Sequence, residues 1–495
     1  MITNGPNLNS VAAPIQQTLI SNYIDFTAQG TAGWAQQYLP DLMESEAEVF
    51  GSRTISGFLS QVGAEESMSS DQVIWSEQGR LHLSYTGTIS DDAVAASAGR
   101  AEITVSLDID GNAVGAGTHG IRANDLVLIS AAGGTVRAIV ETVTAGSNVI
   151  RVAPFGVANL TGINGGTVDG AAMTVLVFGS EFSKGSNGRS SANTPQFKTF
   201  HNKPIILKDY YEISGSDAAQ IGWVEVTGED GQNGYYWYLK AEGDTRSRFA
   251  DYLEMSMMES EKGDQAVDAV ETVLGIGAIG AAAERLTGTE GLFAAIEDRG
   301  NLTSGINGVN AATDLAEFDA ILAEFDKQGA IEENMLFVNR ASSLAMDDML
   351  ASMNSYGAGG TSFGVFNNSE DMALNLGFSG FRRGSYDFYK SDFRYLNDKA
   401  TRGSINDRDA AGAVRGVIIP AGVSTVYDQT LGKNLKRPFL HVRYRQSNME
   451  DRKMKSWITG SVGGNVTSDI DAMEVHFLSE RCLVVQGANN FMLLK

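Results

Sequence analysis

Two glycine-spaced motifs in this 495-residue chain have the residue types for chemistry. Gly275-Ile276-Gly277-Ala278-Ile279-Gly280 has the G-x-G-x-x-G spacing, in which glycines let a dinucleotide's phosphates approach a helix N-terminus. That use needs a strand leading in. Gln265 to Glu271 favours helix or an irregular link, so the run reads as a flexible connection. Gly360-Thr361-Ser362-Phe363-Gly364 has the spacing of a nucleophile elbow, which presents a serine at the end of an apolar strand. Tyr356-Gly357-Ala358-Gly359 cannot supply that strand, although His441 and His476 lie downstream as formal partners. A hydrolase and a nucleotide-dependent enzyme therefore rest on these two motifs alone. No catalytic or cofactor-binding residue is assigned, and no cofactor is expected.

Metal chemistry has as little to work with. Asp108-Ile109-Asp110-Gly111-Asn112 starts like a calcium loop, but the bidentate glutamate at loop position twelve is missing. A hairpin turn explains it better. The five histidines, His82, His119, His201, His441 and His476, have no metal-ligand spacing. The single cysteine, Cys482, sits in the apolar run Cys482-Leu483-Val484-Val485 and reads as core.

Composition points the same way. The net charge of −23 argues against a dedicated nucleic-acid-binding protein. No basic-then-apolar leader and no run of about 18 apolar residues occurs, so neither secretion nor a membrane span is expected, and a cytoplasmic origin fits.

The elements that would position a functional surface fall into five stretches. Residues 1–60 form an arm with helical pieces at Gln16 to Phe26 and Trp34 to Leu39, followed by the acidic residues Asp41, Glu44, Glu46 and Glu48. Residues 61–232 hold an inserted β domain at 100–178, where Ile103, Val105, Leu107 and Ile109 alternate with polar residues. Five short strands there suggest a small antiparallel barrel or sandwich. The polar stretch 179–195, with Lys184 and Arg189, reads as the mobile tip of a long hairpin, ordered on assembly. In residues 233–299, Tyr235, Tyr238, Leu239, Phe249, Tyr252, Leu253, Ser256 and Met257 mark one face of a long helix; Arg246, Arg248 and Glu254 fall on its solvated or interfacial side. Residues 300–430 mix helix and strand, and residues 431–495 are strand-rich, with separate strands at Met473–Leu478 and Cys482–Gln486.

One segment is basic. Lys433, Lys436, Arg437, Arg443, Arg445, Arg452, Lys453 and Lys455 face only Glu450 and Asp451 nearby in sequence. The segment could meet an acidic patch on another copy, such as Asp41–Glu48, or face nucleic acid, or be a solvated strand with local ion pairs.

Three stretches resemble the major capsid proteins of tailed phages, which share the HK97-like fold. Lys208-Asp209-Tyr210-Tyr211-Glu212-Ile213-Ser214-Gly215-Ser216, with Ala219-Gln220-Ile221-Gly222, looks like the return strand of the family's extended loop. Tyr238-Leu239-Lys240-Ala241-Glu242-Gly243-Asp244-Thr245-Arg246, leading into Phe249 to Glu254, looks like its spine helix. Val475 to Val485, ending in Asn489-Asn490-Phe491, is similar to its closing strands. The resemblance covers about residues 181–495. It implies an α+β chain: an N-terminal arm, an extended loop enlarged by the β-barrel insertion, a spine helix, an axial domain at 300–430 and a peripheral domain. It also implies pentamers and hexamers of the chain, tiling an icosahedral shell around double-stranded DNA. Portal, scaffolding and decoration proteins would be further partners, the virion capsid would be the location, and assembly would occur in the host cytoplasm. No membrane partner and no activity is implied. Candidate contacts between copies are Asp41, Glu44, Glu46, Lys184, Arg189, Arg246, Arg248, Lys436, Arg437, Arg443, Arg445, Arg452 and Lys453. A sheath or fibre-base protein is the alternative structural reading.

Overall fold

The computed structural model describes residues 58–59, 64–78, 80, 82–91, 99–109, 111–160, 170–189, 197–220, 226–227, 233–234, 236–263, 288–307, 311–329, 331–353, 380–406, 412–421, 423–428, 433–462 and 466–495. The acidic residues Asp41, Glu44 and Glu46 and both glycine motifs lie outside these residues. The fold is mixed α and β and divides into two units, residues 76–199 and the remainder.

In chain order, β1 (Ala64–Met68) and β2 (Val73–Gln78) precede the second unit. That unit is a closed six-stranded barrel of β3 (Ser84–Asp91), β4 (Ala101–Asp108), β5 (Asp125–Ala131), β6 (Gly134–Val143), β7 (Val149–Pro154) and β8 (Ala172–Ser180), in the order β3-β4-β7-β6-β5-β8. Closure removes both sheet edges. Alternate residues point inward and make a separate core of Ile89, Ala101, Ile103, Val105, Val127, Ile129, Val140, Ile150, Val152 and Val175. The barrel thus begins one strand earlier than the alternation at 103–109 suggests.

The alternation itself also breaks. Leu107 and Ile109 are 38% and 49% exposed. The β3–β4 register shifts between Thr86 and Gly87, opposite Val105 and Leu107. One extra residue reverses every later side chain's face. Gly87 makes this approach possible: a Cβ there would lie 2.1 Å from the Thr104 carbonyl oxygen. The Asp108–Asn112 segment is a turn, as its residues suggest. The Asp108 backbone N–H donates to the Asn112 carbonyl oxygen at 2.9 Å, and the Asp108 carboxylate accepts the Asn112 backbone N–H at 2.8 Å.

After the barrel the chain runs through β9 (Phe197–Asn202), β10 (Ile205–Ser214), α1 (Gly215–Gln220), β11 (Val226–Thr227), β12 (Asn233–Gly234) and α2 (Tyr236–Glu259). Among the described residues, the strands on either side of 179–195 do not pair with each other, because β8 belongs to the barrel and β9 pairs with β2. Next come α3 (Leu292–Arg299), β13 (Asn301–Thr303), α4 (Ala311–Gln328), β14 (Glu333–Val338), α5 (Arg340–Met353), β15 (Gly380–Arg383), β16 (Tyr386–Asp392), α6 (Gly403–Asn406) and β17 (Gly416–Pro420). The chain ends with β18 (Val423–Asp428), β19 (Lys433–Pro438), β20 (Leu440–Arg445), β21 (Lys455–Gly460), β22 (Ala472–Val485) and β23 (Met492–Leu494).

Two sheets organise this larger unit. One has the order β1-β20-β22-β10, with β21 also on β22. The other is β13-β23-β17-β14-β16-β15. The two strands expected at 473–478 and 482–486 are one strand, β22, of 14 residues. Its polar middle survives burial because each group is satisfied. Ser479 Oγ donates to the Lys453 carbonyl at 2.6 Å, and Arg481 donates to that carbonyl and to Ser479 Oγ, both at 2.9 Å.

In the second sheet, β17 is buried on both faces. Val417 and Ile419 join the core shared with α3, while Ile418 joins Phe318, Ile321 and Phe325 of α4 and Met346 and Met349 of α5. Leu315, Phe318, Ile321, Leu322 and Phe325, at helical spacing in the sequence, thus share one packing face of α4. Helix α2, 24 residues long, extends about 36 Å. It buries Thr245, Phe249, Leu253 and Met257, four positions spaced by four. Tyr252, expected on that face, is 44% exposed. Glu254, expected in solvent, is buried and accepts the Leu59 backbone N–H at 3.2 Å.

A fragment spanning 76–199 is expected to fold alone, since its core and hydrogen bonding close on themselves. His119 is buried against the edge of the Tyr85 ring, and burial holds its pKa below the ordinary 6.5. The unfolded chain therefore takes up the proton first as pH falls below 6.5, and folded stability drops with it. Thermal melts of the fragment should show a lower midpoint at pH 5 than at pH 7, with a flatter dependence in His119→Gln.

Candidate functional site

Pairing in the β22 sheet sorts its side chains onto two faces. β10 runs antiparallel to β22 with Tyr210 opposite His476 and Tyr211 opposite Val475. β21 lies on the other edge with Trp457 opposite His476. Leu207, Met473, Val475 and Phe477 then share the face that packs on Phe249 and Leu253 of α2. Phe249 and Phe477 rings lie 6.0 Å apart. Arg248 donates to Asp209 at 3.2 Å on this side.

The opposite face carries a row of three stacked rings. Tyr210 lies 6.1 Å from His476, and His476 lies 5.2 Å from Trp457, with interplanar angles of 26° and 21°. Tyr210 is 56% exposed, Trp457 is 37% exposed, and Ile206 on the same face is 53% exposed. His476 Nε2 lies 2.8 Å from Thr459 Oγ1 and 3.1 Å from Glu474 Oε2. The Lys455 ammonium sits 5.6 Å from the Trp457 ring centre, a cation–π contact. These aromatics were not singled out from sequence. The only signal was the alternation Ile206, Lys208, Tyr210, Glu212 along one strand.

Further along the same sheet lie the cations of the basic segment. β1 pairs in parallel with β20, Glu66 opposite Arg443. Arg443 donates to Glu66 at 2.7 Å. Arg445 meets Asp71 and, at 3.3 Å, Glu480; Arg452 reaches Glu480 at 2.6 Å. Lys453 pairs with Glu65, and Lys455 with Glu450 at 2.7 Å. Lys455 holds the Glu450 carboxyl below its usual range. The segment is basic in sequence but matched in space by acids from β1, the β1–β2 connection and β22. Lys436 and Arg437 belong to β19, paired with β18.

The remaining candidates are scattered. Arg246 and Lys184 are exposed with no partner among the described residues. Arg189 is not at a free tip, because it donates to Asp125 of the barrel at 2.7 Å. Of the two histidines downstream of the serine motif, His441 is buried in β20 and His476 is held in the ring stack. Cys482 is fully buried, and burial pushes its thiol up to about 12. No group of three metal-ligating side chains occurs among the described residues, and no helix there is long and apolar enough to cross a membrane.

No family model and no curated protein matches the chain. Solved structures do. A chain in the capsid structure of cyanophage P-SCSP1u superposes with a TM-score of 0.39 at 8% identity, over 96% of this chain and 98% of that one. A chain from Microbacterium phage Oxtober96 gives 0.38 at 7% identity, over 92% and 96%. A chain from the satellite phage P4 procapsid gives 0.30 at 10% identity, over 64% and 78%. All three are phage structures, two of them of a capsid or procapsid.

Glu480 is the shared acceptor of two arginines and only 9% exposed. Glu480→Gln is expected to destabilise the unit by about 1.5–3 kcal/mol, the range for hydrogen bonds to charged groups. Lys453→Ala, losing an exposed pair, should cost under about 1 kcal/mol. Urea unfolding of both variants checks the contrast.

Proposed function

We propose that this chain is a structural protein of a virion shell, the major capsid protein of a tailed phage with the HK97-like arrangement. The observation that carries this reading is the half-covered β22 sheet. One face is sealed by a 24-residue helix, and the other presents Ile206, Tyr210 and Trp457 to solvent. An exposed aromatic and aliphatic patch of this kind marks an interaction surface. A second copy is the partner that repeats with the chain itself, and many weak repeated contacts add up across a closed shell.

In this reading α2 is the spine and the β22 sheet with its helix is the peripheral domain. The β17 sheet with α4 and α5 is the axial domain, and the barrel is an insertion. The stretches 208–222, 238–254 and 475–491, which resemble the capsid family, fall on β10–α1, α2 and β22 with the turn that follows it. Pentamers and hexamers would enclose double-stranded DNA, which an acidic subunit would contact without sequence preference. Portal, scaffolding and decoration proteins would complete the particle, in the host cytoplasm. Asp41, Glu44, Glu46, Lys184, Arg246, Lys436 and Arg437 are candidate contacts between copies. Arg443, Arg445, Arg452 and Lys453 already meet carboxylates of their own chain, so they would act by holding the sheet that a neighbour docks on. No catalytic step is required.

The chain, expressed alone or with a scaffolding partner, is expected to form capsomers or closed shells on negative-stain imaging. Tyr210→Glu combined with Trp457→Glu should keep the native circular dichroism spectrum and lose assembly. Helical tubes would favour a sheath protein instead. A strictly monomeric parent chain, or a double variant that assembles like the parent, would overturn the reading.

A further inference from the structure

The open face of the β22 sheet is ordered row by row, because strand register decides which side chains stand side by side. Tyr210, His476 and Trp457 form the middle row. Two residues along the strands, about 7 Å away, lies a basic row, with Lys208 and Lys455 on either side of Leu478. Two residues the other way lies an acidic row, Glu212 beside Glu474 and Glu474 beside Thr459. The rings are thus flanked by opposite charges.

These charges are satisfied unequally within the chain. Lys455 meets Glu450 at 2.7 Å and lies 5.6 Å from the Trp457 ring centre. Glu474 accepts from Thr459 Oγ1 at 2.8 Å. Lys208 and Glu212 are both exposed, with no hydrogen bond or ion pair among the described residues. They stand four residues apart on β10, about 13 Å, and cannot reach each other. Glu212 is placed directly opposite Glu474, a like-charge pairing that disfavours the sheet unless a cation is brought to it.

A second copy of the same face can bring that cation. Two like faces meet with two-fold symmetry only about an axis lying between them. An axis along the strands sets basic row on basic row. An axis along the ring row sets each basic row on the other copy's acidic row, and the rings on their own counterparts. Lys208 of each copy then faces Glu212 of the other, twice per pair. The strands of the two copies run antiparallel, in line with aligned sheet packing.

We propose that the β22 sheet pairs with the same face of a second copy about a two-fold axis along the Tyr210–His476–Trp457 row, with Lys208 and Glu212 as the reciprocal pair that sets its register. This rests on the reading of the face as a contact between copies and supplies its geometry. The patch is three strands wide and runs from Ile206 to Glu212, about 14 Å by 23 Å. A pair buries roughly 600–700 Å² in all, near half the roughly 1,200 Å² at which stable interfaces begin. The contact is weak alone and gains from repetition in an assembly.

Cross-linking of full-length chains with a short bis-maleimide tests the register, and the fully buried Cys482 adds no background. Tyr210→Cys, on the axis, is expected to link to its own counterpart. Lys208→Cys and Glu212→Cys should give at least tenfold more dimer when mixed than either gives alone. Sedimentation velocity supplies an independent reading. Lys208→Glu and Glu212→Lys should each weaken self-association roughly tenfold, two attractive contacts having become repulsive. Their equal mixture, and the double variant, should regain the parental level. No gain on mixing, or a double variant as weak as the single ones, would overturn the pairing. Shells on imaging without a gain on mixing would sink the pairing and leave the shell reading intact; a gain on mixing without shells would do the reverse.

Discussion

The hydrogen-bond ladder of β22 is the constraint on which the larger unit depends. Ten of its residues pair with β10 along one edge. The other edge is shared end to end by β21, at Met473–Leu478, and β20, at Arg481–Val485. A strand so occupied cannot slide by one residue without turning Phe477 and Val475 from α2 toward solvent. Immediately beyond it Gly487, with φ of +62°, turns the chain so that β23 enters the second sheet between β13 and β17. A Cβ at that position would also press to 3.0 Å from Asn490. Residues 472–494 therefore stitch both sheets together, and elements hundreds of residues earlier are fixed by where this segment runs.

Electrostatics follow from that pairing. Arg445 and Asp71 are 374 residues apart in sequence yet in contact, because β1 lies beside β20. Arg481 is buried, and desolvation pulls its pKa down, but it remains bonded to Ser479 and the Lys453 carbonyl. Buried charges persist when every donor finds an acceptor, and leaving one unmatched costs more than the pair contributes. At the end of α3 an arginine is instead held by a ring and a carboxylate. Arg299 lies over the Phe200 ring at 4.5 Å and pairs with Glu290 at 3.0 Å.

The barrel solves its own problem separately. Its edges are closed, its core is its own, and two of its register shifts fall at a glycine, Gly87 and Gly179. An insertion built this way adds a surface without taking hydrophobic residues from the host unit.

Several features were determined by the sequence alone. The β-rich insertion, the turn at Asp108–Asn112, the spacing of the α4 face and the burial of Cys482 all come from periodicities and turn residues that act within one element. Tertiary structure decided the rest, because the cause lay elsewhere in the chain. The polar run Ser479-Glu480-Arg481 looks like a strand break until the Lys453 carbonyl and Arg452 supply its partners. Glu254 looks solvated until Leu59 donates to it. Leu107 looks inward until the extra residue at Ser106 of β4 reverses its face. The basic segment reads equally as a docking patch, a nucleic-acid face or a strand with local ion pairs until β1 and β22 bring acids to Arg443, Arg445, Arg452 and Lys453. The Tyr210–His476–Trp457 row leaves only the alternation along β10 as a local trace, since it exists only once three strands are in register.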